Sequence, residues 1–213
     1  MKMVMYMTSK DTFYEIERIL LESKKPSKEI RELIEEGKLD KEPFNMIKKL
    51  SSIEQNKKYH PEGSVLNHVL LVVDEASSRK QDSKDERVFM WSALLHDLGK
   101  LTTTRIRKNR ITSYNHDIEG EKLAIKFLDS LTNDEEFKLS ISKLVRYHMQ
   151  PLFFDKNLPF FDPKNMFKEV DCKEVALLSL CDRLGRGHLD DEVLNLEKER
   201  VNKFKKYCES KIN

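Results

Sequence analysis

Six side chains of metal-ligand type stand in the chain in the order His68, His96, Asp97, His116, His148 and Asp182. They form five stations on five separate segments. Imidazole and carboxylate together, without thiolate, suit Mn, Fe, Ni, Co, Mg or Zn in a site that keeps positions open for water and substrate. The central station is the stretch Trp91 to Lys100, in which an apolar run (Val88, Phe89, Trp91, Ala93, Leu94, Leu95) carries His96 and Asp97 to a point just before Gly99. A carboxylate is almost never buried without a partner, because stripping its water costs several kcal/mol even after relaxation. A divalent metal, one ion or two, is the most economical partner for Asp97.

Helices must carry these stations. Six Gly and six Pro in 213 residues, with long Glu-, Lys- and Leu-rich stretches, argue for a mostly helical protein. Phe13, Ile16, Ile19 and Leu20 fall at helical spacing within Thr12 to Ser23, Ser27 to Gly37 begins at an N-cap candidate, and Phe44 to Ile53 reads as a third short helix. This first quarter reads as an extension without chemistry of its own. Ser64 is an N-cap candidate for a helix that is apolar over more than half its circumference and holds His68. The helix from about Lys84 is expected to end at Gly99 in a left-handed C-cap. Thr104, Ile106, Ile111 and Ser113 alternate about Lys108-Asn109, which suggests a short hairpin. Its Arg105, Arg107, Lys108 and Arg110 are either a solvated tip or a basic flap over a phosphate-bearing substrate. His116-Asp117 opens a helix, His148 closes another before Pro151, and Leu152 to Asp171 reads as an aromatic, Pro-containing loop. Asp182 lies in the apolar helix Val175 to Leu184, and Val193, Leu196 and Phe204 are the expected core contacts of the last, charged helix.

Composition excludes other classes. Charged residues are 36% of the chain but net charge is only +2, so this is not a strongly basic nucleic-acid binder, although local basic patches remain open. No apolar run approaches the roughly 20 residues that span a bilayer, and Met1 to Met7 lacks a signal peptide's apolar stretch and cleavage site, so a cytoplasmic protein without a membrane partner is expected. Cys172, Cys181 and Cys208 are odd in number and widely spaced, which indicates neither a disulfide framework nor a thiolate zinc site.

The pattern resembles the HD superfamily of metal-dependent phosphohydrolases, and most of all the HD domain of bacterial CCA-adding tRNA nucleotidyltransferases. The resemblance runs from His60-Pro61-Glu62-Gly63 and His68-Val69-Leu70-Leu71-Val72 through Leu95-His96-Asp97-Leu98-Gly99-Lys100 and Tyr114-Asn115-His116-Asp117 to Cys181-Asp182-Arg183-Leu184-Gly185-Arg186. It covers about Tyr59 to His188. It implies an all-α fold, an HD-domain helical bundle with a small β-hairpin, divided into a helical N-terminal extension (1–56) and an HD domain (57–213). It implies that His68, His96, Asp97 and Asp182 hold one metal and that Asp97 bridges to a second held by His116 and His148. In one-metal relatives the last two histidines are instead free to contact substrate or donate a proton.

The chemistry follows from a bound metal, which lowers the pKa of water from about 15.7 toward about 7 and polarises a phosphoryl oxygen. Asp97 and Lys100 are the candidate catalytic residues, with Lys100 at the rim balancing phosphate charge. Lys100, Arg183 and Arg186 are the candidate substrate contacts, at least one arginine pointing into the cleft as a fork for phosphate oxygens, the alternative being surface ion pairs. His60 and His188 read as structural or rim residues. The chain shows no Gly-Ser followed by an Asp-x-Asp pair, and no Gly-Tyr-Pro motif, so neither CCA addition nor cyclic di-GMP cleavage is expected. The expected activity is that of a stand-alone hydrolase acting on a phosphate-bearing small molecule, a nucleotide or an RNA end. The alternatives are a non-catalytic nucleotide- or RNA-binding module and a purely structural metal.

Overall fold

The computed structural model describes residues 8–108, 110–187 and 189–212. The Met-rich start, Asn109 and His188 lie outside the described residues. α1 (Ser9–Glu22) starts in a capping box, in which the Thr8 side chain accepts from the Asp11 N–H and the Asp11 carboxylate accepts from the Thr8 N–H. α2 (Pro26–Glu35) and α3 (Asn45–Lys49), which runs into a 3-10 turn at Leu50–Ser52, complete the extension. α4 (Val65–Ser77) is capped by Ser64 as expected, and α5 (Glu86–Leu95) by Asp85. Ser27 is not a cap: Lys25 holds that position. Ser27 instead donates its N–H and hydroxyl to the Asp74 carboxylate, at 2.9 and 2.7 Å, pinning α2 to α4.

α5 is the hub. Helices α1, α4, α8 (Glu135–Tyr147) and α11 (Cys172–Leu184) all pack on it, which is why Phe89 through Leu95 are buried around its whole circumference. Trp91 stacks on Phe13 at 4.9 Å and its indole N–H donates to Glu17, so the extension completes the core around α5. Between α5 and α8 run a single turn, α6 (Lys100–Thr103), an antiparallel hairpin and α7 (His116–Asp129). The hairpin pairs β1 (Arg105–Arg107) with β2 (Arg110–Thr112) and sets Ile106 opposite Ile111. The all-α class with one small hairpin agrees with the expectation.

Other expectations change. Leu152 to Asp171 is not a loop but two short helices, α9 (Gln150–Asp155) and α10 (Pro163–Glu169). Their prolines sit at first-turn positions, where a missing N–H costs no helical hydrogen bond. In α12 (Asp191–Ile212) the buried apolar residues are Val201, Phe204 and Cys208, whereas Leu196 is exposed. Its neighbour Glu197 turns inward in its place to meet Arg183. All three cysteines are free and buried.

Gly99 is not a left-handed cap; it sits in ordinary right-handed helical conformation. Its role is close approach, since a Cβ there would lie 1.9 Å from the His116 carbonyl oxygen and 2.6 Å from the Gly120 nitrogen. Gly185 does the same between α11 and α4, where a Cβ would fall 2.8 Å from the Val72 backbone. These two contacts draw the segment of Asp97 onto that of His116, and the helix of Asp182 onto that of His68.

Candidate metal centre

Five segments deliver the six expected ligands to one place. His68 projects from α4, His96 and Asp97 from the end of α5, His116 from the start of α7, His148 from the end of α8 and Asp182 from α11. The imidazoles form a continuous row, with ring centroids 5.5 Å apart from His68 to His96, 5.3 Å from His96 to His148 and 5.2 Å from His148 to His116. Ligand atoms of His68, His96 and Asp182 lie within 4.8 Å of one another, as do those of Asp97, His116 and His148. Asp97 faces both groups: Oδ2 is 3.4 Å from His96 Nε2 and 3.8 Å from His68 Nε2, and Oδ1 is 3.5 Å from His116 Nε2.

Each histidine is held by its outer nitrogen. Nδ1 of His96, His116 and His148 lies 2.8, 2.8 and 2.6 Å from the carbonyl oxygens of Ala93, Ser113 and Val145, each three residues earlier in the chain. A carbonyl only accepts, so Nδ1 carries the proton and the Nε2 lone pair turns to the centre, as a metal ligand requires. His68 has carboxylates on both sides, Glu62 Oε1 3.0 Å from Nδ1 and Asp182 Oδ1 2.9 Å from Nε2.

Protonation states follow from burial and these neighbours. Burial alone raises the Asp97 carboxyl, but Lys100, His96 and His116 outweigh it and hold the group well below the usual carboxylate range. Asp182 is likewise held low against burial by His68. Burial lowers His68 less than Asp182 and Glu62 raise it, so its net shift is upward. Burial, with His116 and His96 nearby, pushes His148 down to about 4, and burial also lowers His116. The second group therefore offers neutral imidazoles at neutral pH.

The residues fit a divalent metal. His96 Nε2 is buried with no hydrogen-bond partner, a costly state for an acceptor unless a cation or proton meets it. The donor set of four imidazoles and two carboxylates suits the divalent ions named above.

Lys100 departs from its expected place. It is buried, not at the rim; Nζ lies 2.7 Å from Asp97 Oδ2 and donates to Gln55 Oε1 at 2.7 Å. Gln55 belongs to the stretch read as having no chemistry, and a lone glutamine in a polar segment carries no sequence signal for this contact. Arg183 is also buried rather than a surface pair, ion-paired to Glu197 of α12. Arg186 lines the cavity above the centre. Asp117 pairs with Arg146 at 2.5 Å and belongs to neither of the two gathered groups of ligand atoms. Glu62 was missed: it touches both His60 and His68, and its place in the His60-Pro61-Glu62-Gly63 turn was the available signal.

The centre forms part of the wall of an open cavity of about 1040 Å³. Tyr59, Tyr114 and Phe160 are exposed around it, Phe153 packs against Phe160 at 5.6 Å, and Ile111 through Asn115 supply the hairpin side. The basic side chains of the hairpin are themselves exposed to solvent.

A helical bundle that gathers histidines and aspartates from five segments at one cavity is the architecture of a His–Asp metal domain. The chain belongs to the HD domain family, whose model matches residues 65–187, more than half of its length. Curated relatives of this chain carry the name Multifunctional CCA protein. That of Actinobacillus pleuropneumoniae is 30% identical over 155 residues, 70% of this chain and 37% of the relative. That of Alkalilimnicola ehrlichii is 31% identical over 148 residues, 67% of this chain and 34% of the relative. The chain thus spans about a third of the length of the curated relatives it matches.

Proposed function

We propose that the chain is a metal-dependent phosphohydrolase acting on a phosphomonoester or phosphodiester of a nucleotide or an RNA end. The observation that carries this reading is the convergence of four inward-facing Nε2 atoms and two carboxylates at a cavity large enough for a nucleotide. Membership of the HD family supports the hydrolase part, and the relatives named Multifunctional CCA protein support the nucleotide or RNA part. His68, His96, Asp97 and Asp182 would hold one metal, and Asp97, His116 and His148 would hold a second. The metal supplies water activation and polarisation of the phosphoryl oxygen. Lys100 offsets charge between Asp97 and the incoming phosphate, while Gln55 keeps its ammonium in place. The aromatic rim offers faces on which a base can stack. Arg183 and Arg186 are the remaining substrate-side cations.

Elemental analysis of protein purified without chelator, beside Asp97→Ala, tests the reading together with an assay of phosphate release. We expect two metals per chain, lost with hydrolysis in Asp97→Ala. One metal per chain makes His116 and His148 substrate contacts or proton donors instead. Full activity in Asp97→Ala, or no metal under any loading condition, sinks the mechanism.

A further inference from the structure

Arginines gather at another part of the cavity wall, beyond Asp182. Arg183, Arg186 and Arg200 line the same cavity as Asp97 and Lys100. Arg183 is 2% exposed and ion-paired to Glu197 through Nη1, yet its Nη2 is buried with no partner. Arg200 shares Glu197 through a 2.6 Å hydrogen bond, and its Nε lies 3.6 Å from Asp155. Arg186, four residues beyond Asp182, has no hydrogen bond or ion pair among the described residues, and its Nε is buried without a partner.

One buried guanidinium and one half-buried one, each with a buried donor unused, are expensive unless an anion meets them. Arg183, Arg200 and Lys156 pair with only two carboxylates, Glu197 and Asp155, while Arg186 acts on the Asp182 carboxylate at the metal centre, so four cations on this wall interact with three carboxylates. Lys100 cannot serve the same anion, because it is drawn away to Asp97 and Gln55. The cavity wall thus carries cations with different partners, Lys100 on Asp97 and Gln55, and Arg183 and Arg200 on Glu197.

We propose that Arg183, Arg186 and Arg200 form a second anion subsite, which holds a further phosphate of the substrate besides the one placed against Asp97 and Lys100. Preferred ligands then carry two phosphate groups, as in a nucleoside bisphosphate or an RNA end with its neighbouring phosphodiester. The identity of the first phosphate as the reacting one rests on the hydrolase reading; the affinity of the arginine wall for an anion does not. Guanidinium forks suit this role, since they meet two phosphate oxygens at once.

The test titrates the full chain as purified with adenosine 3′,5′-bisphosphate, and separately with the 3′- and 5′-monophosphates, by calorimetry. Phosphate release is assayed in the same samples with Mn²⁺ added. The bisphosphate is expected to bind about ten-fold more tightly than either monophosphate, and Arg186→Ala to bring that ratio to about one. Arg186→Lys, which keeps the charge and loses the fork, should lower the ratio several-fold, and it replaces the alanine variant if that one does not fold. Equal affinities in the parent, or a ratio that survives in the folded variants, overturn the subsite. Bisphosphate preference without phosphate release from any probe leaves the subsite standing and removes hydrolysis; release without preference does the reverse.

Discussion

At the scale of single residues, the centre is built by what stands behind each ligand. Backbone carbonyls fix the proton on Nδ1 of His96, His116 and His148, so the inward nitrogen needs no further selection. Lys100 touches Asp97 but belongs to none of the ligand groups. Lys100→Ala is therefore expected to retain metal while turnover falls by about a hundred-fold. Metal content near parent level with reduced kcat supports this; loss of metal in the variant makes Lys100 a structural counter-ion instead. Acid acts on the lowered histidines in the same sense as on a carboxylate held below its ordinary value. His148, His116 and His60 are held below the ordinary histidine value, His148 at about 4. Stability from their neutral forms is present above about 6.5, the unfolded value, and lost as pH falls through the lower folded value. His68 is shifted upward and opposes this trend, its share being present at low pH and lost as pH rises. His148→Gln removes one such share, so the urea midpoint of metal-free protein should fall less from pH 7 to pH 5 in the variant than in the parent. An equal fall in both contradicts the assignment.

At the scale of elements, two glycines decide whether the stations meet. Gly99 lets the turn after α5 lie against the start of α7, with no room for a methyl group beside the His116 carbonyl. Gly99→Ala must push that segment away, at a cost of about 1–3 kcal/mol or more from overpacking. It should also weaken metal binding by moving His116 from Asp97. Thermal melting with and without added Mn²⁺ reads both effects, and an unchanged metal-induced rise in Tm counts against the close-approach role. The helices themselves were largely legible, because Ser64 and the apolar periods of α4 and α5 are local signals. The aromatic stretch Leu152 to Asp171 was not. Its helices are too short for periodicity to show, and Phe154 and Phe161 pack on α12 residues far along the chain.

For the whole molecule, α1 to α3 and the helices that follow share one hydrophobic core. Phe13 stacks on Trp91, Glu17 accepts from its indole, and Gln55 reaches Lys100. Removing residues 1–56 would expose the α1 face of α5 and release Lys100 from Gln55. The truncated chain is expected to lose several kcal/mol of stability, since large aromatic contacts in a core are worth about 3–5 kcal/mol each on deletion. Chemical denaturation of the truncated and full chains measures this, and equal midpoints would show the extension to be dispensable. By itself the sequence determined the all-α class, the helices around the core, and the identity and order of His68, His96, Asp97, His116, His148 and Asp182. Those are properties of residue type and short-range period, to which burial adds the demand that a carboxylate find a partner. Only the tertiary structure decided that Lys100 turns inward, that Gln55 and Glu62 stand behind the site, that Gly99 is a close contact and not a left-handed C-cap, and that Glu197 meets Arg183. Each of these depends on groups distant in the chain, and a pairing made across packed helices leaves no periodic trace in either partner.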